Sequence, residues 1–106
     1  MFVAINYIHC TDEYRSTMEQ LFLTRAHAID RIQGFLSMDI LKPEKEDDAY
    51  LIISRWEHEE SFKQWMHSPE FLEGHKRAFA DIRQATASGK QAPMKSVFRT
   101  YTHLAS

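Results

Sequence analysis

The sequence is poor in residues that cross-link or interrupt a chain. A single cysteine, Cys10, in 106 residues leaves no internal disulfide. The fold must then rest on a packed core, and the composition suits a reducing, cytoplasmic setting. Only three glycines and three prolines occur, so each marks a break with some precision. An excess of one charge is also lacking. The 13 basic and 15 acidic side chains give a net charge of −2, which argues against a polycationic nucleic-acid binder. No apolar run approaches the roughly 20 residues of a membrane helix. The opening MFVAINYIHC has neither a basic leader region nor a long apolar stretch, so it does not read as a secretory signal. There is no P-loop, no G-x-G-x-x-G after a strand, no Ser/His/Asp motif and no EF-hand. The chain does contain six histidines and thirteen aromatic residues.

Length and patterning predict one domain over residues 1–106. Phe2 to Ile8 is β-branched and aromatic and reads as a strand, with Phe2, Ala4, Asn6 and Ile8 on one face. Thr11 and Asp12 are suitable N-cap residues. From there Tyr14, Met18, Leu21, Phe22, Ala28, Ile29 and Ile32 recur at helical spacing, so a helix is expected to run on to Gly34. Phe35 to Leu41 and Ala49 to Trp56 predict a hairpin around a charged turn. Glu59 to Met66 reads as a short helix. Ser68-Pro69 opens another, with Phe71, Leu72, His75, Phe79 and Ile82 on its apolar face. A mobile loop is expected over Ala85–Pro93 and a last strand over Lys95–His103. The order β-α-β-β-α-β is the ferredoxin-like α+β arrangement. Its helices cover one face of the sheet, so a second copy packed sheet to sheet is expected on the other.

Three residues stand out against this frame. His75 interrupts an apolar stripe, four residues after Phe71 and four before Phe79. It reads either as a histidine hydrogen-bonded inside the fold or as a metal ligand. One neutral imidazole suits an iron already held by four porphyrin nitrogens, not a bare zinc needing three or four protein ligands. Trp65 lies ten residues earlier, across the Ser68-Pro69 break. It is either a core tryptophan or part of a shared cavity. Asn6 sits mid-strand between Ile5 and Tyr7, where asparagine is disfavoured and, if buried, needs a partner. A solvent-facing or dimer-bonded amide and a ligand-orienting donor are both open. His9, His58, His67 and His103 fall at element ends, His27 reads as part of the first helix, and Cys10 has no base beside it.

These residues and their surroundings resemble a known family. Asn6, the run from Phe22-Leu23-Thr24-Arg25 to Gly34-Phe35, Trp56, and the segment from Phe62 through Trp65, Ser68-Pro69 and Phe71 to His75-Lys76 resemble the antibiotic-biosynthesis-monooxygenase superfamily of dimeric α+β barrels. Within it, the conjunction of Asn6, Trp65 and His75 is similar to the IsdG-type heme-degrading monooxygenases. The resemblance implies that His75 is the axial ligand of heme iron, that Asn6 donates a hydrogen bond to an iron-bound ligand, and that Trp65 presses the porphyrin out of plane. Heme would be both cofactor and substrate, opened with O2 and electrons from a separate reductase or chemical reductant. Phe22, Phe71 and Phe79 could wall the slot, and Arg25, Lys76 or Arg77 could meet a propionate. Other readings are a cofactor-independent monooxygenase acting on a quinol or aromatic substrate, a heme-binding protein without turnover, and a dimeric small-ligand module in which His75 is structural.

Overall fold

The computed structural model describes residues 1–25 and 27–106. Four strands form one antiparallel sheet: β1 (Phe2–Cys10), β2 (Phe35–Leu41), β3 (Tyr50–Trp56) and β4 (Met94–Thr102). They lie in the order β2-β3-β1-β4, so β1 is central, between β3 and β4. The helices are α1 (Asp12–Leu23), α2 (Glu59–Met66), α3 (Pro69–Gly74) and α4 (Lys76–Ala87), with a 3-10 turn at Ala28–Arg31. This is the ferredoxin-like α+β fold predicted from the element order.

The alternation in β1 sorts its side chains. Ala4, Asn6 and Ile8 are buried, while Val3, Ile5 and Tyr7 are only partly covered. Asn6 pairs with Ile52 on β3 and with Phe98 on β4, and cross-strand partners share a face. On that face Ile8 joins Met18 of α1 and Tyr50 of β3 in the core, with Phe22, Tyr14 and Ile52 packed around them. Trp56 is fully buried, and its indole N–H donates to Ser54 Oγ at 2.9 Å. That bond satisfies a polar group that would otherwise be costly to enclose.

Several boundaries differ from those expected. α1 stops at Leu23 and does not run on to Gly34. The Thr24 hydroxyl donates to the Gln20 carbonyl at 2.7 Å, one turn back, and His27 takes a left-handed backbone with φ 59° before the 3-10 turn. Such a backbone cannot continue a helix. His27 is therefore outside α1, and Ala26, within the expected helix, lies outside the described residues. Thr11 is the N-cap of α1, but its side chain makes no capping bond. Ser68 does cap α3, accepting from the Phe71 amide at 3.1 Å, with Pro69 in the first turn. α4 extends to Ala87, three residues into the expected loop. It closes with Gly89 at φ +72°, where the Gly89 and Lys90 amides donate to the Thr86 and Ala85 carbonyls. That double bond pattern needs a left-handed residue, which glycine supplies without strain.

Candidate functional site

The helix expected from Pro69 onward breaks at His75, which ends α3 and precedes α4. Gly74 weakens the helix at this point. The His75 amide is shared between the carbonyls of Phe71 at 3.2 Å and Leu72 at 3.3 Å. Its ring also returns to the Phe71 carbonyl, with Nδ1 at 2.7 Å. A carbonyl only accepts, so Nδ1 carries the proton, and in the neutral ring Nε2 keeps its lone pair. This is how proteins fix the tautomer of a metal-binding imidazole.

The His75 ring sits in a row of aromatic side chains. Phe71 lies 4.1 Å from it, centroid to centroid, and Phe79 stacks on it at 5.8 Å. Trp65 meets Phe71 edge to face at 5.6 Å. The structure therefore brings Trp65, Phe71, His75 and Phe79 together although the helix between them is interrupted. A second aromatic group adjoins the row through α2: Phe62, three residues before Trp65, meets Phe98 at 6.1 Å, Trp56 at 5.8 Å and Phe2 at 5.5 Å. Phe98 is the β4 partner of Asn6. Phe98 and Phe79 are 42% and 36% exposed on the helix side of the sheet, so apolar ring surface stays available there.

Asn6 is 8% exposed, and its Oδ1 is buried with no hydrogen-bond partner among the described residues. A buried amide oxygen left unpaired costs about 1–3 kcal/mol, so its retention here calls for a reason. Phe22 packs elsewhere, on Tyr50 at 6.4 Å. It also lines a cleft of about 250 Å³ with Glu19, Leu23, Ile40, Lys42 and Tyr50. Arg25 follows α1 and, among the described residues, makes no side-chain hydrogen bond or ion pair. Lys76 and Arg77 open α4, where Arg77 pairs with Asp81 at 3.0 Å. Among the described residues no group of three or more His, Cys, Asp or Glu is placed to hold a bare metal ion.

Sequence reasoning passed over Phe98 and the Phe71 carbonyl. Register could have found Phe98, because strand pairing sets it opposite Asn6. The carbonyl left no signal, since its role depends on where the helix breaks.

The fold and this arrangement define the class. Residues 1–77 match the antibiotic biosynthesis monooxygenase family, and the chain belongs to that family. A curated relative is the heme oxygenase (mycobilin-producing) of Mycobacterium tuberculosis, 34% identical over 67 residues. That match covers 63% of this chain and 64% of the relative, so the chain spans under two-thirds of the relative's length. The fold is shared with the heme-degrader MhuD from Mycobacterium tuberculosis, solved with two hemes in its active site. Its TM-score is 0.70 at 23% identity, over 100% of this chain and 98% of that one. SnoaB, a cofactor-independent oxygenase from Streptomyces nogalater, shares it with a TM-score of 0.72 at 19% identity, over 99% and 94% of the two chains. Fold alone therefore does not choose between heme-dependent and cofactor-free chemistry.

Proposed function

We propose that this protein is a heme-degrading monooxygenase, with heme as both substrate and cofactor. The observation that carries the reading is the His75 ring, its Nδ1 proton committed to the Phe71 carbonyl at 2.7 Å within a row of aromatic rings. One neutral imidazole nitrogen held as a lone-pair donor among apolar groups suits an iron already bound by four porphyrin nitrogens. The relative named as a heme oxygenase supports the same choice.

The residues present fit a heme. Nε2 of His75 would hold the heme iron, with the Phe71 carbonyl as the ring's orienting partner. The aromatic rings supply the apolar surface a flat macrocycle needs. The buried Oδ1 of Asn6 has no hydrogen-bond partner among the described residues, and this amide would meet a polar group on the bound molecule. Trp65, set edge to face on Phe71, has the bulk to press on the porphyrin. Arg25, Lys76 or Arg77 would meet a propionate. Bound heme would supply the oxygen chemistry, drawing on O2 and electrons from a separate reductase or chemical reductant. The chain's part is to bind the ring, orient it, distort it and donate a hydrogen bond. The sheet face away from the helices carries Val3, Ile5, Tyr7, Leu51, Ile53, Val97 and Tyr101, which a second copy of the chain would cover.

The test is a hemin titration of wild type and His75→Ala, followed by ascorbate with catalase present. A saturable Soret band in wild type that is lost or shifted in His75→Ala, and that bleaches on reduction, is the expected result. A band identical in both proteins would remove His75 as ligand. A His75-dependent band that survives reductant would make the protein a heme carrier. No saturable band would leave a cofactor-independent oxygenase or a ligand-binding module.

A further inference from the structure

α4 is the helix that begins directly after His75, and its attachment to the rest of the molecule is slight. None of its residues is buried. Among the described residues it makes one side-chain hydrogen bond to another element, from the Tyr14 hydroxyl of α1 to Asp81 Oδ2 at 2.7 Å. The bond is part-buried, and both ends are fixed. The Tyr14 ring packs against the core of Ile8, Met18 and Tyr50. Asp81 is held by Arg77 Nε at 3.0 and 3.3 Å, one turn nearer His75. At the other end of that turn the Phe79 amide donates to the His75 carbonyl at 3.0 Å. A continuous set of bonds therefore runs from the core through Tyr14, Asp81 and the first turns of α4 to His75.

We propose that Tyr14 and Asp81 are positioning residues. Their hydrogen bond ties α4 to α1 and so sets where the His75 ring stands among Phe71 and Phe79. Burial and the Asp81 carboxylate push the Tyr14 hydroxyl up to about 12, so it remains a donor throughout the neutral range. The consequence for heme rests on the function proposed above, whereas the tether itself does not.

The experiment compares wild type, Tyr14→Phe, Asp81→Ala and Asp81→Asn. Two readouts use ligand-free protein: amide hydrogen exchange along the chain, and the NMR resonances of the His75 ring. A third is the axial-imidazole signature on hemin titration. Tyr14→Phe and Asp81→Ala are expected to exchange roughly tenfold faster over Lys76–Ala87, with the sheet amides unchanged. The His75 resonances should shift, and imidazole-ligated heme should weaken about tenfold. Asp81→Asn keeps an acceptor oxygen and should restore wild-type behaviour. Should Tyr14→Phe fold poorly, the Asp81 pair decides alone, because that side chain is only half-buried and outside the core. Unchanged α4 exchange and His75 resonances in Asp81→Ala would overturn the proposal. So would equal acceleration of sheet and helix, which marks a bond that only stabilises the fold. Absence of imidazole-ligated heme in wild type would defeat the heme reading and leave the tether to be judged by the two ligand-free readouts.

Discussion

At the scale of single residues, the sequence marks out positions better than partners. Asn6, Trp65 and His75 are conspicuous because each breaks a local rule: a strand asparagine, a tryptophan beside a helix break, a histidine in an apolar stripe. Their surroundings are less legible. The bond that fixes the His75 tautomer goes to the backbone oxygen of Phe71, and no pattern of side chains announces a carbonyl. The pairing of Tyr14 with Asp81 spans 67 positions and is equally silent, since Tyr14 reads from sequence simply as core. The buried amide of Asn6, whose Nδ2 is its donor and whose Oδ1 accepts no bond among the described residues, makes the sharpest prediction at this scale. Asn6→Ala removes a buried polar group, so heme binding and fold stability should persist. Reductant-driven loss of the Soret band should slow about a hundredfold, as for removal of one preorganised donor. Stopped-flow absorbance on the preformed complex checks this, and an unchanged rate would take Asn6 out of the mechanism.

At the scale of elements, hydrophobic period and punctuation carried most of the assignment. β2 and α2 have the bounds that the patterning predicts, and Ser68-Pro69 starts α3 by the expected cap. The misses occur where side chains and backbone compete for the same carbonyls. Thr24 turns back onto Gln20 at the end of α1, and His75 turns back onto Phe71. In both places the apolar period continues across a helix that does not, because rings and aliphatic groups can pack across a break that backbone bonds cannot bridge. Gly34 shows how tightly the elements meet. It has φ +89°, and a Cβ there would lie 2.2 Å from Ser61 Oγ and 2.8 Å from Ser61 Cβ in α2. Both backbone strain and overlap oppose any side chain. Gly34→Ala should therefore destabilise the fold by roughly 2 kcal/mol, read as a lower urea midpoint with an unchanged slope. A change below about 0.5 kcal/mol would mean that α2 moves freely relative to β2.

At the scale of the whole molecule, two properties follow from how the layers are built. The helices cover one face of the sheet, and on the other Leu36, Leu41, Val97 and Tyr101 remain 48%, 46%, 48% and 45% exposed. Apolar surface of this kind is normally covered. Analytical ultracentrifugation at micromolar concentration should give twice the 12.5 kDa chain mass, and a persistent monomer would refute sheet-to-sheet pairing. The second property is a loss of stability in alkali. Tyr14 titrates at an ordinary value of 10.0 when unfolded and at about 12 when folded. A raised value contributes stability that is complete below the unfolded value and is lost as pH climbs through the folded one. Burial raises Tyr50 and Cys10 as well, and the Tyr101 hydroxyl raises Tyr7. Urea midpoints should fall as pH rises from about 10 toward 12, and Tyr14→Phe should flatten that fall. The central claim concerns chemistry, and its most direct measurement is mass spectrometry of the tetrapyrrole recovered after hemin-loaded protein is reduced in air with catalase present, alongside capture of released iron. The account predicts an opened tetrapyrrole and iron released in proportion to the heme consumed. Intact heme recovered in full from a His75-ligated complex, with an active reductant, would contradict it.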